Sequence, residues 1–142
     1  MFFKKKGGGN HEHDFVKIAA LLIHAARIDE NYSEKEEEII KKTLIDLGVN
    51  NENIDTLIIK AKKSEENANQ ILDFTKEIKN LIDTDKIKII KSLWKIIYSN
   101  QNADIYETNL MRRLAGLLYI DSKIMGDIKE EIKKEILKWR IS

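Results

Sequence analysis

Apolar positions along this chain recur at spacings of three and four between short polar turns, which predicts a succession of amphipathic helices. The first runs from Asp14 to about Ile28, with Phe15, Ile18, Ala19, Leu22, Ala25 and Ala26 on one face. A second starts at Ser33 and ends at Leu47, where Gly48 is a natural stop; its stripe is Ile39, Ile40, Thr43, Leu44 and Leu47. In the middle, Asn53 caps a helix carrying Ile54, Leu57, Ile58 and Ala61. Ser64 or Asn67 opens another, with Ala68, Ile71, Leu72, Ile78 and Leu81. Thr84 or Asp85 begins a stronger helix through Tyr98, turning Ile87, Ile90, Leu93, Trp94 and Ile97 inward. Asp104 caps the next, which carries Leu110, Met111, Leu114 and Leu118. The last, about Ser122–Trp139, offers Ile124, Ile128, Ile132, Ile136 and Trp139. No segment alternates as a strand would. The expectation is an all-α, compact bundle of about seven helices.

One polar pattern occurs twice in this succession. Asp29-x-Asn31-x-Ser33-x-x-Glu36 returns as Asn100-x-Asn102-x-Asp104-x-x-Glu107, a constant offset of 71 residues from Glu36 to Glu107. The flanks repeat with it and without a gap. Leu22 falls on Leu93, Ile23 on Trp94, Ile39-Ile40 on Leu110-Met111, Lys41-Lys42 on Arg112-Arg113, and Leu47 on Leu118. Two like helical hairpins around one core are the simplest reading.

The segments Leu93-Trp94-Lys95-Ile96-Ile97-Tyr98, Ala103-Asp104-Ile105-Tyr106-Glu107 and Arg112-Arg113-Leu114-Ala115-Gly116-Leu117-Leu118 carry a resemblance to a known family. With Ala19-Ala20-Leu21-Leu22, Ser33-Glu34-Lys35-Glu36 and Asp73-Phe74-Thr75-Lys76, they make the chain similar to the TerB-like (tellurite resistance protein B-like) family over roughly residues 14–121. That fold is shared with the N-terminal domain of the DjlA co-chaperone. The resemblance implies an all-α pseudo-repeat bundle, associated with metal binding and stress response, without an established reaction. The family's Asp-Gly pair is Asp29-Glu30 in the first half here and Asn100-Gln101 in the second, where an amide replaces the leading carboxylate.

Composition narrows the function classes. With 25 Lys and Arg against 24 Asp and Glu, the net charge of +1 gives no concentrated basic surface for phosphate, so nucleic acid is not an expected partner. The chain has no Cys, which removes disulfides, thiol nucleophiles and thiolate zinc sites, and no Pro, which suits a helical chain. No apolar run has the length of a membrane span, so a cytoplasmic address is the default. Residues 1–13 read as a flexible tail hinged at Gly7-Gly8-Gly9, and 14–142 as the helical domain. Phe2-Phe3 with Lys4-Lys5-Lys6 offers a weak peripheral contact to an anionic membrane face.

The candidate chemistry sits in the doubled pattern. Ser33-x-x-Glu36 is a capping box and Asp104-x-x-Glu107 a close variant, which accounts for the residues as helix caps. The sharper reading makes Asp29, Asn31 and Glu36, with Asp104 and Glu107 in the second half, oxygen ligands for Mg²⁺ or Ca²⁺ in preference to Zn²⁺. It is not an EF-hand, because Glu34 and Ile40 stand where such a loop needs Gly and Glu. His11-Glu12-His13 lacks the i, i+4 spacing of a helical zinc pair, and His24 reads as a hydrogen-bonded, partly buried residue. Trp94, Tyr98, Tyr106 and Tyr119 read as core or rim, and Arg112-Arg113 as solvated. No nucleophile–base set is present, so no enzyme activity is expected. The function expected is a non-enzymatic interaction module that holds a divalent cation. The alternative is a structural adaptor without metal, and in either case a protein partner is expected.

Overall fold

The computed structural model describes residues 11–27, 33–68, 72–99 and 107–141. Among them seven α-helices follow one another: α1 (His11–Arg27), α2 (Glu34–Asp46), α3 (Asn51–Asn67), α4 (Leu72–Ile78), α5 (Asp83–Tyr98), α6 (Arg112–Leu117) and α7 (Ser122–Ile141). A π-helical turn, Glu107–Met111, leads into α6. No described residue forms an extended strand.

The sequence assigned α1 one apolar face, but its central segment, residues 18–23, is buried on all sides. Ala20, Leu21 and Ile23 are as inaccessible as Ile18, Ala19 and Leu22, all at 0% exposure. The reason is its position: α2, α3, α4 and α5 all pack on it. A helix apolar all round belongs in a core. Its start also comes earlier than expected, at His11, so the predicted tail boundary at residue 13 falls inside the helix. Residues 1–10, including Phe2–Lys6 and the glycine joint, lie outside the described residues.

The internal repeat is longer than the two hairpins read from the sequence. Displaced by 71 residues, α1 falls on α5, α2 on the π turn plus α6, and α3 on α7, so each half has three helical segments and α4 joins them. Burial follows the offset. Ile54 and Met125 are 4% and 6% exposed, Leu57 and Ile128 6% and 5%, and Ala61 and Ile132 0% and 1%. The third pair escapes sequence comparison because Ala61 and Ile132 share burial but not size.

The two halves also end their second helices alike. Leu47 and Leu118 are the C-caps. Val49 N–H then donates to Leu44 O at 3.0 Å and Ile120 N–H to Ala115 O at 2.9 Å. Gly48 and Tyr119, again 71 apart, take the left-handed position between them, with φ of 116° and 56°. This is the Schellman stop, which needs a residue at positive φ just past the cap.

Several expectations shift. Asn50, not Asn53, is the N-cap of α3, and α3 runs unbroken to Asn67 in place of a new helix at Ser64. Ile82 is the N-cap of α5, two and three residues before Thr84 and Asp85. Ile124, expected inward, is 45% exposed, because Met125 takes the inward position on α7. Tyr119, expected at core or rim, is 75% exposed. Trp94 is in the core, with Tyr98 stacked on it at 5.8 Å.

Candidate functional site

The turn that opens α2 is built by its sequence. Ser33 has extended backbone, φ −96° and ψ 163°, and its hydroxyl accepts from Glu36 N–H at 3.2 Å. Glu36 Oε1 returns the contact, receiving the Ser33 N–H at 3.0 Å and the Ser33 hydroxyl at 2.9 Å. The capping box expected from the sequence is therefore complete. Its unusual property is burial. Glu36 is only 4% exposed, although capping carboxylates normally sit in water. The positive end of the α2 dipole favours the carboxylate there, as it does Glu34 and Glu37 in the same turn.

Of the other expected ligands, Asp29, Asn31 and Asp104 lie outside the described residues, as does the side chain of Glu107. The backbone of Glu107 opens the π turn, so the second half does not repeat the regular α-helical first turn that Glu36 occupies. Among the described residues no group of three or more His, Asp or Glu comes together as a metal cage. Oxygen donors alone in the Asp29–Glu36 set fit a hard cation and exclude a thiolate metal.

A second polar cluster closes the same end of α1. Arg27 donates to Glu65 Oε1 at 2.6 Å, and His24 Nδ1 lies 3.3 Å from Glu65 Oε2. The His24 ring also lies 5.9 Å from Phe74. His24 is thus a hydrogen-bonded, partly exposed residue that ties α1 to α3 and α4, as its apolar neighbours suggested.

The opposite turns hold residues the sequence did not single out. Lys86, 6% exposed, donates to Leu118 O at 3.0 Å and so closes the C-terminus of α6 from α5. At the matching end of α2, Phe15 stands in place of Lys86. There a cleft of about 380 Å³ opens between Phe15, Gly48, Val49, Asn53 and Leu57. Only the 71-residue alignment, extended back from Leu22 to Phe15, points to this difference.

A helical bundle of two like halves, each with its second helical segment closed by a left-handed stop, defines a class of duplicated all-α domains. Within it the chain matches the family described as tellurite resistance protein TerB over residues 15–130, and it belongs to that family. Comparison with curated proteins and with solved structures gave no match. None of the described helices is long and apolar enough to cross a membrane.

Proposed function

We propose that this TerB-family domain works without catalysis, as an interaction module stiffened by a hard divalent cation at the Asp29, Asn31 and Glu36 turn. The observation that supports this reading is the burial of the Glu36 carboxylate at 4% exposure. Burying a carboxylate is costly unless opposite charge or hydrogen bonds compensate it. The capping bonds satisfy Oε1, and a cation shared with Asp29 and Asn31 adds the opposite charge. The α2 dipole opposes a cation at this end, so binding is weak, with Kd on the order of 10⁻⁴–10⁻³ M. Asp104 and Glu107 form the weaker counterpart, since Asn100 supplies no charge. The ordered turn then shapes a surface for a protein partner in the cytoplasm, in the stress setting that the family description suggests.

Calorimetric titration of metal-free protein with Mg²⁺, Ca²⁺, Mn²⁺ and Zn²⁺ tests this directly. Heat with Mg²⁺ or Ca²⁺ that disappears in Asp29→Ala and Glu36→Gln is the expected result. No heat and no thermal shift at millimolar metal would sink it. The completed capping box favours the second reading in that case: an adaptor whose doubled turns only cap helices, with Phe2–Lys6 touching an anionic membrane. Equal pelleting with anionic liposomes of the intact chain and of a chain lacking residues 1–9 removes the membrane part.

A further inference from the structure

The two Schellman stops are equivalent in backbone and opposite in surface. In the first half Gly48 and Asn53 flank the cleft of about 380 Å³ whose walls include Phe15, Val49 and Leu57. Their counterparts at the 71-residue offset are Tyr119 and Ile124, which are 75% and 45% exposed and project where the first half is hollow. Tyr119 is also the only non-glycine residue at positive φ among the described residues. A bulky side chain in that conformation is strained, and such strain tends to be retained where a side chain has a task.

Charge reverses along with shape. Asn50, Thr56 and Lys60 line the cleft, and the matching positions around the projection are Asp121, Asp127 and Glu131. A rim whose one charge is basic therefore corresponds to three acidic positions in the other half. Of these, Glu131 is paired with Lys91 at 3.4 Å, while Lys79 Nζ lies 6.0 Å from the Tyr119 ring. Asn50, although it is the N-cap of α3, makes no capping bond with its side chain.

We propose that Tyr119 and Ile124 of one copy seat in the Phe15–Gly48–Leu57 cleft of a second copy. Projection and cleft lie on different halves, so each docked molecule still presents one of each. Association is head-to-tail and continues to a ring or a filament. An aromatic anchor in an apolar cleft with a charged rim is the usual energetic centre of a protein interface.

The test is sedimentation velocity of the full chain over a concentration series, with one variant blocked on each side. Tyr119→Gly removes the projection and Thr56→Trp, at an exposed position, fills the cleft. The native chain is expected to associate with concentration. Each variant alone should do so at least about tenfold more weakly, the size expected for an aromatic anchor. An equimolar mixture should give a discrete dimer and nothing larger, because only one productive pair remains. A native chain that stays monomeric at millimolar concentration overturns the proposal. So does a Thr56→Trp variant that self-associates as well as the native chain, which means Tyr119 meets itself, and so does a mixture that fails to pair. Asn53→Trp, at a second exposed cleft position, replaces Thr56→Trp if that variant does not fold.

Discussion

The Thr43 and Ser92 hydroxyls meet 2.7 Å apart in the buried contact between α2 and α5. Thr43 Oγ1 also lies 2.8 Å from Ile39 O, which can only accept, so the Thr43 proton goes there and Ser92 donates to Thr43. The counterparts at the 71-residue offset, Leu114 and Leu21, are both 0% exposed. One half thus has a hydroxyl pair where the other has leucines. Thr43→Val takes away the acceptor of the buried Ser92 hydroxyl and should cost about 1–3 kcal/mol, whereas Ser92→Ala leaves Thr43 bonded to Ile39 O and should cost less. The double variant should cost clearly less than the sum. A double-mutant cycle by urea unfolding measures this, and strict additivity would show that the pair is not coupled.

Ser33→Ala removes the acceptor that holds Glu36 N–H at 3.2 Å. The expected loss is about 1 kcal/mol, or about 3 °C in Tm. Ser33→Asp should restore most of it, since Asp accepts the same bond. Thermal unfolding in chelator checks the cap without any contribution from metal. A loss unchanged by Asp would point to a role of Ser33 other than capping.

The two left-handed stops predict opposite signs. At Gly48, φ 116° admits an alanine only with strain, so Gly48→Ala should destabilise by about 1 kcal/mol. Tyr119→Gly relieves strain at φ 56° but loses the contact with Lys79, whose Nζ is 6.0 Å from the ring. A net gain of about 0.5 kcal/mol is expected in dilute protein, read from urea midpoints.

Arg27 and Glu65 join α1 to the end of α3 at 2.6 Å, with side chains 31% and 14% exposed. Partial exposure limits the pair to about 1 kcal/mol. Arg27→Met should lose that much at low salt and less at 0.5 M NaCl, as screening weakens the native pair. A salt-independent loss would assign the effect to packing of the Arg stem.

Much of this fold is legible because helix period and cap chemistry are local. Ser33 and Glu36 announce their capping box in four residues, and Gly48 announces its stop. What escaped the sequence depends on long-range context. Nothing near Ala20, Leu21 and Ile23 says that four helices will surround them. Tyr119 has no local reason to adopt positive φ, and reveals it only through its equivalence to Gly48. The Thr43 partner is 49 residues away and breaks the pattern that Leu21 and Leu114 keep. At the candidate cation turn, Glu36 was found by spacing, whereas its burial depends on tertiary packing.

The enclosure of α1 has a consequence for synthesis. This helix is made early, yet the surfaces that cover it are not complete until α5 follows, and Arg27 precedes Tyr98 by 71 residues. At about 5–20 residues per second, the interval is on the order of 4–14 s. During that time the apolar run from Ile18 to Ile23 lacks its full set of neighbours, and it is the segment for which a nascent-chain holdase would compete.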